Sequence, residues 1–252
     1  MNDRKIVAIY LIGTFGITYL AWWIIVLANQ VGYLKAGTVA FWPVYIIGGL
    51  ASTLMGIILA IKTERNSSVL SVMRTAFNIK QPIKFYGLIL MFFILSFGFP
   101  SEFGKWYIGI IYVFYMIFFG GLEEIGWRYI FQPTLEKHLP FWLASAITAI
   151  LWAVWHLPLF FIDGMNKGSD FSMFVLGVLG MSFMLGAIYR ISSSLWLCVL
   201  FHGMINAFSQ VWKSPTYVNN EFVSSLIQTM IKISISVILV YLADIRKSVK
   251  LD

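Results

Sequence analysis

Eight stretches of this chain are apolar runs of the length needed to cross, or nearly cross, a hydrocarbon core of about 30 Å. They fall at roughly 6–28, 39–61, 85–99, 106–136, 141–161, 171–189, 194–212 and 222–242, the third being short. Backbone N–H and C=O groups in lipid have no water to bond, so such runs must satisfy them internally, as helices. No soluble domain of 252 residues combines 60% hydrophobic with 12% charged residues in this pattern. The expected fold is therefore all-α: a polytopic membrane bundle of about eight transmembrane helices. No repeat, low-complexity tract or soluble segment interrupts it, so residues 1–252 are expected to form one membrane domain.

Loop charge gives an expected orientation. With eight spans both termini share a side, and that side receives Arg4, Lys5, Lys62, Arg65, Arg74, Lys80, Lys84, Lys137, Arg190, Arg246, Lys247 and Lys250. The opposite side receives Lys35, Lys105, Lys167 and Lys213. The positive-inside rule then places both termini in the cytoplasm and accounts for the net charge of +7 without nucleic acid as a partner. Met1 to Leu27 is longer than the apolar core of a signal peptide and lacks a small-residue cleavage site, so it is expected to stay as the first span. The single cysteine, Cys198, excludes an internal disulfide framework. Between the second and third runs, Lys62 to Lys84 carries Val69, Val72, Met73, Ala76 and Phe77 at near-helical spacing. It is either an amphipathic helix on the membrane surface or a solvated loop.

Of the acids, all but Glu123 and Glu124 fall in loops, termini or helix ends. Two of the three histidines, His156 and His202, lie deep in the fifth and seventh runs. One charge at mid-bilayer costs at least about 2.5–3.5 kcal/mol, so this group must be compensated or used. Glu124 and Arg128 are four apart and can pair on one helix face. Glu123 lies about 100° further round and needs a partner from another helix. At about 1.5 Å per residue, Glu123 and His156 each lie roughly 20–25 Å from the turn near Pro140, at similar depth. His202 lies about 15 Å from the Ser192-Ser193 turn, with Asn206 four residues on along the same face.

This set can activate water: a buried carboxylate as general base, an imidazole as proton relay, and His and Asn donors for an oxyanion. Glu123, His156 and His202 are equally ordinary zinc ligands, and spacing does not choose between the two. Plainer roles also exist. Glu123, Glu124 and Arg128 could be a structural ion cluster, His156 could fill carbonyls freed near Pro158, and His202 with Asn206 could join helices by hydrogen bonds. Lys232, midway along the last run, is expected to snorkel or pair. The glycines of 48–49, 56, 120–121, 126, 177, 180 and 186 are expected at close helix contacts.

Glu123-Glu124-Ile125-Gly126-Trp127-Arg128 resembles the EExxxR motif of the CPBP family of intramembrane proteases, which includes type II CAAX prenyl endopeptidases and Abi-like bacteriocin-processing proteins. Trp152-Ala153-Val154-Trp155-His156 resembles its FxxxH motif, with Trp in place of Phe, and His202-Gly203-Met204-Ile205-Asn206 its HxxxN motif. The resemblance implies an intramembrane endopeptidase with core helices over 106–212 and a site in the bilayer that opens to the cytoplasm. It implies a hydrophobic or lipidated peptide as substrate and membrane lipid as surroundings. Glu123 and His156 would activate water, Glu124 and Arg128 would hold the helix, and His202 with Asn206 would stabilise the tetrahedral intermediate. The family carries a metalloprotease label, with zinc on Glu123, His156 and His202, and a glutamate-dependent mechanism without metal has also been argued. The second of these is slightly favoured. The alternatives are a non-catalytic bacteriocin-immunity or regulatory protein on the same scaffold, and a proton-coupled transporter, against which stands the lack of paired interrupted helices. An excess of Ile, and of Lys over Arg, suggests a bacterial plasma membrane.

Overall fold

The computed structural model describes residues 1–99, 106–165 and 170–248, and among these the chain is helical with no strand. The helices are α1 (Asp3–Gln30), α2 (Phe41–Lys62), α3 (Val69–Ala76), α4 (Ile83–Phe97), α5 (Trp106–Glu136), α6 (Phe141–Phe161), α7 (Phe171–Ser192), α8 (Leu195–Phe208) and α9 (Glu221–Ser248). Six of them are long and apolar enough to cross a membrane, and α4 and α8 are shorter apolar helices. This is an integral membrane helical bundle, and the eight apolar helices coincide with the eight runs of the sequence. Lys62 to Lys84 takes the helical alternative over Val69–Ala76: Ser68 caps α3 by accepting from the Ser71 N–H at 3.2 Å, and Val72 and Ala76 turn inward.

The ends have local causes. Asn2 accepts from the Lys5 N–H at 2.9 Å and starts α1. Ser193 adopts φ 55°, ψ 21°, left-handed, and ends α7, so that the chain reverses at once into α8. α8 and α5 run antiparallel through glycine contacts. A Cβ at Gly109 would meet the Phe208 ring at 2.7 Å, and one at Gly121 would meet the Val199 carbonyl oxygen at 2.5 Å. A Cβ at Gly56 of α2 would likewise meet the backbone of Ile125 and Gly126 at 2.7 Å. The expected glycine packing holds at these positions, but Gly177 has nothing within 4 Å.

The span over 106–136 is present but locally irregular. The apolar run 106–136 reads as one regular helix, yet α5 is α-helical only to Phe119. Gly120 departs to φ −153°, ψ −52°, a 3₁₀ turn covers Gly121–Glu123, and Trp127–Phe131 is wound as a π-helix before the chain regains α geometry at Gln132. Lys232 also differs from expectation. It neither snorkels nor meets an acid; it is buried between α7 and α9, and its Nζ donates to Gln228 Oε1 at 3.1 Å. Gln228 in turn donates to the Ser96 carbonyl of α4 at 3.1 Å.

Candidate active site

The interruption of α5 sets out the site. The 3₁₀ turn delivers Glu123 and Glu124 in different directions. Glu123 points at α6, where its Oε2 accepts from the Trp152 indole N–H at 3.0 Å. Its backbone carbonyl is held by the Ser52 hydroxyl of α2 at 3.0 Å, and Ser52 is itself in contact with the buried Tyr10 hydroxyl at 2.8 Å. Glu124 points at α8 and is wholly buried; its Oε1 accepts from His202 Nδ1 at 2.7 Å. Its Oε2 faces Arg128 Nε at 3.5 Å, an ion pair rather than a formed hydrogen bond. The guanidinium, also wholly buried, lies over the Trp152 ring at 5.1 Å. The expected Glu124–Arg128 pairing is therefore present, and the partner that Glu123 needed from another helix is Trp152.

His156 sits where the α-helical part of α6 ends and a 3₁₀ turn over Leu157–Phe161 begins. Pro158 has no N–H for the Val154 carbonyl, and the Tyr19 hydroxyl of α1 supplies the missing donor at 2.7 Å. The His156 ring bonds the carbonyl of Trp152 at 2.9 Å through Nδ1. A carbonyl only accepts, so Nδ1 carries the proton and the neutral ring presents the lone pair of Nε2. Trp155 and Phe174 flank the ring edge-on at 4.5 and 5.2 Å. Asn206 comes from α8. A methyl group at Gly120 would lie 2.5 Å from Asn206 Nδ2 and 3.1 Å from His202 Nε2, so both nitrogens close over the break in α5.

Glu123, Trp152, His156, His202 and Asn206 all line one cavity of about 340 Å³. Aromatic side chains of α1, α2, α5 and α7, among them Trp22, Tyr45, Tyr115 and Phe174, form its walls. Glu124 and Arg128 stand behind it, out of the lining. Of the six sequence candidates, four thus face one space and two brace it. Trp152, Ser52 and Tyr10 were missed as participants. The signal for Trp152 was its indole N–H, which the aromatic position of the motif conceals.

The donors meet only part of what a zinc site requires. Each histidine has one free ring nitrogen, as a ligand requires, but Glu123 Oε2 is engaged by Trp152. Among the described residues no three His, Cys, Asp or Glu side chains converge closely enough to hold a metal ion. Glu123, His156 and His202 as arranged do not fit a closed ligand set.

A family model described as type II CAAX prenyl endopeptidase Rce1-like matches residues 105–208. This match supports the resemblance to the CPBP family that the three motifs carry. The match contains all three motifs, from the broken α5 to the end of α8. A CAAX prenyl protease 2 from Methanococcus maripaludis is 22% identical over 224 aligned residues, which cover 79% of this chain and 82% of the relative. The similarity to this relative thus reaches beyond the segment matched by the family model. The coarse class is that of a CAAX prenyl endopeptidase-like membrane protein.

Proposed function

We propose that the protein is an intramembrane endopeptidase that hydrolyses a peptide bond in a hydrophobic or lipid-anchored peptide. The observation that carries this is the gathering of Glu123, His156, His202 and Asn206 on one aromatic-walled cavity. Buried ionisable groups that only tie helices together would have their polar atoms consumed by one another. Here His156 Nε2, His202 Nε2 and Asn206 Nδ2 make no hydrogen bond among the described residues, and all three residues line the open space.

In this reading the Glu123 carboxylate takes a proton from water as its oxygen bonds the scissile carbonyl carbon. The Trp152 indole holds Oε2, which leaves Oε1 to the water. His156 Nε2 accepts a hydrogen bond from the same water and orients it. The oxyanion is met by Asn206 Nδ2, a donor in any charge state, and by His202 Nε2 when that ring carries both protons. The C–N bond then breaks and Glu123 returns the proton to the leaving amine. Glu124 fixes the His202 ring through Nδ1, and Arg128 balances Glu124. An oxyanion donor of this kind is worth about 10²–10³ in rate.

The test is cleavage of a fluorogenic lipidated peptide by protein in lipid nanodiscs. Glu123→Ala and His156→Ala should each abolish turnover while circular dichroism and thermal unfolding stay near wild type. Equal turnover in the variants overturns the mechanism. A folded wild type that cuts no member of an anchored-peptide panel favours a non-catalytic, peptide-binding protein instead.

A further inference from the structure

The cavity is not symmetric across the bundle. Its lining residues approach the ends of helices on one side only: Trp42 at the start of α2, Phe174 near the start of α7, and Ser209 and Gln210 just past α8. Towards the other end it stops at Glu123 and Trp152. Beyond that floor the bundle is closed by polar contacts. The Arg65 guanidinium donates to the Tyr129 carbonyl, Tyr129 donates to Asn66 at 2.7 Å, and Gln132 bridges Glu136 and Ser145 at 2.8 and 3.0 Å. Further out, Arg190 joins Glu136 and Asp244 at 3.3 and 3.2 Å, and Lys137 meets Asp3 at 2.7 Å.

The closed end is also the basic end. Among the described residues it carries Arg4, Lys5, Lys62, Arg65, Arg74, Lys80, Lys84, Lys137, Arg190, Arg246 and Lys247, against Asp3, Glu64, Glu136 and Asp244. At the open end the described residues Lys35 and Lys213 are balanced by Asp163, Asp170 and Glu221. Lys and Arg in short loops near the ends of spans are retained in the cytoplasm, and an imbalance this large sets orientation. We infer that the cavity opens on the face of the membrane away from the cytoplasm, opposite to the opening implied by the family resemblance. The substrate class follows, resting on the endopeptidase reading: a peptide anchored in the outer leaflet or exported through the membrane, whose scissile bond lies in the outer half of the bilayer. Exposed aromatic residues at the rim, Trp42, Tyr115, Phe118 and Phe119, give an anchored chain a sideways entry between α2 and α5.

Labelling decides the side without needing catalysis. The native Cys198 is buried, so Gln210→Cys at the mouth and Lys80→Cys at the basic end each supply one accessible thiol. In intact bacterial cells a membrane-impermeant maleimide should label Gln210→Cys and reach Lys80→Cys only after permeabilisation. Labelling of Lys80→Cys alone in intact cells, or of Gln210→Cys only after permeabilisation, overturns the inference. A second arm uses two single-span peptides with one cleavable segment placed in the outer or the inner half of the span. Cleavage of the outer version alone supports the inferred substrate class, and cleavage of the inner version alone overturns it. If Gln210→Cys labels from outside and neither peptide is cut, the opening stands and the endopeptidase reading falls.

Discussion

Trp152 is the residue through which the site's parts meet. Its indole donates to Glu123, its carbonyl accepts from His156, its ring carries the Arg128 guanidinium, and the His202 ring packs edge-on against it at 5.1 Å. Phe at this position, as in the family motif, would keep the ring and the carbonyl and lose only the donor. A hydrogen bond to a charged group contributes about 1.5–3 kcal/mol. Trp152→Phe should therefore fold as wild type and lower kcat roughly tenfold or more with KM unchanged. An unaltered kcat would show that Glu123 is oriented without the indole. The two adjacent acids should also separate cleanly. Glu124→Gln leaves the wholly buried Arg128 uncompensated, a loss of about 3–5 kcal/mol, so its Tm in detergent should fall well below that of Glu123→Gln. Glu123→Gln should stay folded and be inactive. The pairing of Glu124 with Arg128 could be read from a spacing of four, because it is local. The bond from Glu123 to Trp152 could not, because it depends on how two helices are set against each other.

At the scale of the helix, the break in α5 is what lets neighbouring acids face different helices. A regular helix would turn Glu124 about 100° from Glu123 around one axis; the 3₁₀ turn and the π-wound segment change both rise and direction, and π segments recur at functional sites. The eight apolar helices were legible because hydropathy reports what lipid requires of a segment. The break was not, because Tyr107 to Leu122 stays apolar through it, and Gly120-Gly121 reads equally as helix packing. Gly120→Ala would put a methyl group 2.5 Å from Asn206 Nδ2 and displace that amide. Turnover should fall by about 10²-fold, the scale of one lost oxyanion donor. Gly177→Ala, with nothing within 4 Å, should be silent and serves as the control. Equal effects of the two would mean that Asn206 is not held at the break.

The whole molecule brings α5, α6 and α8 to one depth, which counting from the Pro140 and Ser192-Ser193 turns gave loosely. What counting could not give was the distance between side chains at that depth, and the choice between water activation and zinc rests on that distance. In this packing each histidine has its Nδ1 committed to an acceptor and Glu123 is held by an indole, so three ligands on three helices do not close around one point. Drawing them together would require α6 and α8 to shift against α5, through the Gly121–Val199 contact where the backbones already touch. Peptide cleavage should accordingly survive dialysis against a strong chelator, and mass spectrometry of the purified protein should find well below one zinc per chain. Activity lost on chelation and restored by zinc, with a stoichiometry near one, would show instead that the helices rearrange and that Glu123, His156 and His202 are ligands.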